Sequence, residues 1–386
     1  MIQNRLLKTS LIVGLLSLLG LFFINQDSPT FYIHYLAVYT FFISASIGAT
    51  FLILLMYLMR GGWGIVIKRV PDHIMSLLPV FALLFIPLLF GLNHIFVWLD
   101  PAQIATDPLI QKKLPYLNLP FFVARNIIYF AIFSITGYFY WSQSIKQDFA
   151  KKEDINDITK SLQRKSPICL LFMSLATSFA SFDWLMSLYP HWFSTIFGIY
   201  YFAGSMVFVL ALIIISYDVM AMLNITKEYP NVEHMHDVSK LFYGFVIFWA
   251  YVSFSQYFLT WYANIPEFTQ WYYPRLKGEW EPLFFILAIF HFAVPLFGFM
   301  SRHIKRNRIA RLFFASLIII MHYLDIRYII YPNITTSSAI YPTEYLLLGC
   351  FILILMPLVC FKIRKYNIIP KNDPRLSESK HLENTL

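Results

Sequence analysis

FYIHYLAVYTFFISASIGATFLILLMYLM, residues 31–59, contains no Asp, Glu, Lys or Arg. About 20 consecutive apolar residues cross a hydrocarbon core of about 30 Å as a helix. Lipid offers backbone N–H and C=O groups no partners, so the crossing segment must satisfy its own. The stretch therefore predicts a membrane-spanning helix. Nine more stretches read the same way, at approximately 8–24, 74–98, 121–145, 167–188, 192–217, 241–262, 282–300, 309–331 and 340–361. The chain is 58% hydrophobic and 13% charged, against about 25% charged in a soluble domain. The expectation is an all-α polytopic membrane protein of about ten transmembrane helices.

A net charge of +9 would suit nucleic acid, but its distribution excludes that reading. With the N-terminus placed in the cytoplasm, the inner segments hold twenty-three Lys and Arg. The outer loops hold four: Lys112, Lys113, Arg275 and Lys277. Arg125, Arg311 and Arg327 lie in helices. This asymmetry follows the positive-inside rule, with both termini cytoplasmic and a lipid bilayer as the partner. The first apolar stretch has a basic start but no small-x-small cleavage site after Asn25, so it reads as an uncleaved helix. Cys169, Cys350 and Cys360 lie in apolar helices without C-x-x-C spacing. The chain offers no c-type haem attachment and no iron–sulphur ligand set.

Two segments match each other. Asp183-Trp-Leu-Met-Ser-Leu-Tyr-Pro190 and Asp325-Ile-Arg-Tyr-Ile-Ile-Tyr-Pro332 both read Asp, five residues, Tyr-Pro, near the ends of helices 5 and 9. Helices four apart cross in the same direction. This predicts a parallel repeat of two four-helix bundles, helices 2–5 and 6–9, with helices 1 and 10 added. One transmembrane domain would cover 1–366, with halves at about 31–188 and 192–331. The inner loop 146–166 alternates in charge and reads as a short surface helix. The polar segment 367–386 reads as a disordered cytoplasmic tail.

An ionisable side chain at the bilayer centre costs roughly 3 kcal/mol on insertion scales. The topology sets eight candidates at one depth, toward the outer side: His94, Arg125, Asp183, Tyr262, Glu267, His322, Asp325 and Arg327. Arg125 and Arg327 keep their protons, and each wants a carboxylate. Asp183 and Asp325 are the acids well inside helices and the expected counter-charges. His322 and Asp325, three apart, share a helix face and could exchange a proton. His291, mid-membrane in helix 8, reads as a satisfied buried histidine without a facing haem partner. His234-Met-His236 is at most a two-ligand metal fragment. No phosphate loop, G-x-S-x-G or H-E-x-x-H pattern is present.

The run Ser181-Phe-Asp-Trp-Leu-Met-Ser-Leu-Tyr-Pro-His-Trp-Phe-Ser-Thr-Ile-Phe-Gly198 resembles a signature of the polysulphide-reductase-like (NrfD-like) membrane subunits of bacterial alternative complex III. So do Gly91-Leu-Asn-His-Ile-Phe-Val-Trp98, Tyr116-Leu-Asn-Leu-Pro-Phe-Phe-Val-Ala-Arg125 and Trp261-Tyr-Ala-Asn-Ile-Pro-Glu267. The resemblance covers roughly helices 3 to 8 and favours the shorter of that complex's two related ten-helix subunits. The family pattern often has acids where this chain has Tyr189 and Phe268.

The resemblance implies a quinol:electron-acceptor oxidoreductase complex of the bacterial inner membrane. It implies quinol or menaquinol bound at this chain or at its longer paralogue. It implies a multihaem cytochrome, an iron–sulphur protein and a terminal oxidase as partners, and no haem or iron–sulphur cluster on this chain itself. In that setting Asp183, Asp325, His322 and His94 would carry protons. Arg125, Arg327, Tyr262 and Glu267 would bind quinol or balance charge. A secondary transporter or proton channel, and a scaffold subunit without its own quinol site, are the alternatives the residues also permit.

Overall fold

The computed structural model describes residues 2–226, 230–335 and 337–382. Lys227, counted above among the inner basic residues, and residues 383–386 of the tail lie outside them. Among the described residues, ten helices are long and apolar enough to cross a membrane. They are α1 (Ile2–Asn25), α2 (Pro29–Leu58), α3 (Arg69–Phe90), α4 (Leu119–Asp148) and α5 (Lys152–Trp184), followed by α6 (Phe197–Met222), α7 (Val232–Ala263), α8 (Gly278–Gly298), α9 (Arg308–Ile330) and α10 (Pro342–Lys365). The fold is all-α and polytopic, as the apolar stretches require. Ten crossings return the chain to the side on which it began, and the Arg364 guanidinium meets the Asn4 side chain at 3.3 Å. That side is called the termini face below, and the other the distal face.

The charge-alternating segment 152–166 is not a separate surface helix. It forms the opening turns of α5, which runs without interruption through Pro167. The stretch expected to be one helix over 74–98 ends at Phe90, followed by two short helical turns. Gly91 marks the break because the Tyr32 ring occupies its side-chain space: a Cβ there would lie 2.1 Å from ring carbons.

Helices α2 and α6 form the centre, buried along almost their whole length. They cross closely at Gly48, where a Cβ would sit 2.3 Å from the Ser205 carbonyl oxygen. Without a hydrophobic drive between helices in lipid, such close backbone approach supplies the van der Waals packing. Around this axis one pattern occurs twice. α2 packs on α3 and α5 while α4 packs on α5. α6 packs on α7 and α9 while α8 packs on α9. α10 lies against α2, and α1 packs on α10 with most of its surface turned outward.

The tail departs from its expected disorder. Through residue 382 it is laid across the termini face by specific polar contacts. Asp373 pairs with Lys68 at 3.8 Å and with Arg375 at 3.2 Å. The Ser379 hydroxyl, fully buried, donates to the Trp63 carbonyl at 2.8 Å, and its own carbonyl meets His234 Nε2 at 2.7 Å. The Lys371 N–H donates to Asp148. Composition predicted little apolar surface to bury. The tail is held instead by hydrogen bonds and charge over a face already crowded with buried ionic groups.

Candidate functional site

The two matched acids end on the distal side of the two halves, yet their surroundings differ. Asp183, in the last turn of α5, is fully buried. Arg125 of α4 grips it with both prongs, Nε to Oδ2 at 2.8 Å and Nη2 to Oδ1 at 2.9 Å. The Tyr129 hydroxyl donates to Oδ2 at 2.8 Å. The guanidinium is itself stacked against Tyr116 and Phe121, 3.8 Å and 4.4 Å from their ring centres, and its remaining prong donates to the Tyr116 carbonyl at 2.7 Å. This is a closed, bidentate ion pair with every strong group satisfied. Burial, with the Asp183 charge behind it, pushes the Tyr116 phenol up to about 12.

Asp325, one turn before the end of α9, has no cation. Its oxygens accept one bond from the Tyr200 hydroxyl of α6 and one from Trp249 Nε1 of α7 at 3.1 Å. Among the described residues no Lys, Arg or His forms an ion pair with it. It borders a cavity of about 420 Å³ walled by Tyr200, Trp249, Tyr257, Trp271, Tyr272, Phe284 and Tyr328, with Gln256 as a further polar group. Ile247, Tyr251 and Phe254, exposed along the middle of α7, carry the lining out to the apolar outer surface of the helix bundle. The α8 wall is a π-helical segment, Leu287–Ala293. Its wider turn shifts the register of α8, so that Leu287, Ala288 and Phe292 face the cavity. His291 stacks on Trp249, ring centres 3.6 Å apart.

The other expected residues distribute as follows. Arg327 is not a counter-charge to either aspartate. Two residues after Asp325 it faces the opposite side of α9, where Nε lies 3.0 Å from Glu344 of α10 and Nη2 donates to the Ser338 and Ala339 carbonyls. His322 does not meet Asp325 despite its helical spacing. Its Nε2 bonds the Ser44 hydroxyl of α2 at 3.0 Å, and its ring fills the space above Gly204, where a Cβ would lie 2.7 Å from Cε1. His94 is exposed and stacks on Tyr32. Tyr262 and Glu267 are exposed at the distal surface, away from both acids. His291, expected to be satisfied, has no hydrogen-bond partner on either ring nitrogen among the described residues.

Sequence reasoning missed four participants. Glu344, fully buried at the start of α10, holds Arg327 and accepts from Tyr323. Its place two residues after Pro342 inside an apolar stretch was the available signal. Tyr200 and Trp249 carried none, because aromatics crowd every helix. Arg275, placed above in an outer loop, is fully buried.

Polar groups outside the spans complete the distal surface. Asp107 meets His191 Nε2 at 2.5 Å. Burial would raise its carboxyl, but that bond and the backbone N–H groups of Leu109 and Ile110 hold it below the usual carboxylate range. No cluster of three or more His, Cys, Asp or Glu suited to a metal ion occurs among the described residues. No protein-family model matches the chain, and no curated protein matches it.

Proposed function

We propose that the Asp325 cavity binds a quinol from the bilayer and that the chain is a membrane subunit of a quinol:electron-acceptor oxidoreductase. The observation that carries this is a carboxyl group without a counter-ion among the described residues, on the wall of an aromatic cavity that opens at the exposed apolar middle of α7. A volume of about 420 Å³ falls in the range of about 300–1,000 Å³ typical of small-molecule sites. Aromatic walls suit a flat quinone ring, and the lipid-side lining suits its apolar tail. Quinol oxidation releases two protons and two electrons. Asp325 would accept one hydroxyl proton as its O–H bond breaks and the second would pass to water at the distal face, while the two electrons leave for an iron–sulphur partner subunit and onward to a cytochrome or oxidase. Tyr200 and Trp249 would then keep the carboxyl aimed into the cavity. Arg125 and Asp183, each satisfied by the other, would hold the first half rigid. The charge asymmetry along the sequence supports a cytoplasmic termini face.

The test is quinone binding to the full chain, purified with whatever subunits accompany it, followed by quenching of tryptophan fluorescence. Saturable quenching by a soluble naphthoquinone, displaced by a second quinone, is expected. Asp325→Asn should keep binding within a few-fold but abolish quinol-driven reduction of the acceptor. Absence of saturable binding, or full turnover by Asp325→Asn, refutes the proposal. Substrate counterflow by the isolated chain in proteoliposomes would point to a transporter instead.

A further inference from the structure

The distal end of the cavity is held by a residue that takes no part in lining it. Arg275 sits in the loop between α7 and α8, fully buried and without a carboxylate partner in its contacts. Nε donates to the Tyr328 carbonyl at 3.0 Å, and Nη2 donates to the Ile329 carbonyl at 2.7 Å and to Asn333 Oδ1 at 2.9 Å. Nη1 donates to the Trp271 carbonyl. The guanidinium lies 3.4 Å from the centre of the Trp271 ring, which stacks in turn on Trp192.

The physical logic is that of a helix cap supplied from another segment. The last carbonyls of α9 have no intrahelical partner and carry the negative end of the helix dipole. Arg275 satisfies two of them and finds its counter-charge there. Burial pulls its pKa down to about 9, which leaves it cationic at neutral pH. Its planar fork ties together Trp271 and the final turn of α9. Trp271, Tyr272 and Tyr328 all line the cavity, and Asp325 stands one turn before Tyr328.

We propose that Arg275 is a positioning residue. By clamping the α7–α8 loop onto the C-terminal carbonyls of α9, it fixes the aromatic wall of the cavity relative to the Asp325 carboxyl. This rests on the quinol reading given above. Lysine cannot replace it, because a single ammonium cannot span three segments in one plane.

The experiment uses the full chain with its accompanying subunits and the same naphthoquinone probe. Arg275→Ala is expected to weaken binding about tenfold, equivalent to about 1.4 kcal/mol, and Arg275→Lys is expected to match it. Millimolar guanidinium should restore affinity to the alanine variant, and ammonium should not. Lys277→Ala, exposed on the same loop, should bind as wild type. If Arg275→Ala does not fold, Asn333→Ala removes one acceptor of the fork together with the bond Asn333 Nδ2 donates to the Ile329 carbonyl, and keeps the guanidinium; a several-fold loss is expected. Wild-type affinity in whichever variant folds, or a loss in Arg275→Ala that guanidinium does not relieve, overturns the assignment of Arg275. No saturable binding by the wild type defeats the quinol reading instead.

Discussion

Asp183→Asn and Asp325→Asn remove the same charge from matched positions, and the structure predicts opposite consequences. Asp183→Asn strands Arg125 in a buried site, with its Nε and Nη2 facing a neutral amide that offers one acceptor in place of a carboxylate fork. Breaking a buried pair by removing one partner costs about 3–5 kcal/mol. Asp325→Asn strands no cation. The amide keeps one acceptor for Tyr200 or Trp249, and one neutral donor goes unsatisfied, at about 1–3 kcal/mol. The double variant Arg125→Met/Asp183→Leu deletes both charges and fills the space, so it should recover most of the first loss, as apolar replacements of buried pairs do. The measurement is unfolding of the purified protein in bicelles, with the double-mutant cycle giving the coupling energy. Activity should invert the order: Asp183→Asn retains quinol turnover in the folded fraction, and Asp325→Asn loses it. Equal destabilisation by the two single variants, or a double variant as unstable as the sum of its parts, would refute the division of labour between the halves.

Three further outcomes follow from other contacts. Gly204→Ala drives a methyl group to within 2.7 Å of the His322 ring; an overpacking loss of about 1–3 kcal/mol is expected, and His322→Ala should relieve it in the double variant. Asp373 is held below the usual carboxylate range: burial opposes this, but Lys68 and Arg375 outweigh it. A depressed carboxyl contributes stability above its unfolded pKa of about 4 and loses it as pH falls further. Protection from hydrogen exchange at 371–380, taken relative to the intrinsic rate at each pH, should therefore be high at neutral pH and fall below about pH 4, and Asp373→Asn should show the low protection throughout. Tyr262→Ala and Glu267→Gln, both at the exposed distal surface, should leave unfolding within about 0.5 kcal/mol of wild type and leave quinone binding unchanged.

The helices were legible because lipid imposes a one-dimensional rule. A crossing segment must satisfy its own backbone and stay apolar for about 20 residues, and both conditions are written in consecutive residues. The depth of Asp183, Asp325 and Arg125 was legible for the same reason, since each follows from distance to a helix end. Pairing was not. Arg125 and Asp183 meet across fifty-eight positions, as the charges suggested, but Arg327 turned away to Glu344, and His322 bonded Ser44 instead of Asp325. Depth fixes one coordinate. The rotation of each helix about its axis and the identity of its neighbour fix the other two, and these are set by packing: the Gly48 crossing, the π-helical turn of α8 and the Arg275 cap on α9. Sequence alone thus determined that this chain spans the membrane ten times and holds acids near one face. Only the tertiary structure decided which acid is neutralised by a cation and which stands uncompensated beside an open cavity, because a charge's partner is chosen in three dimensions.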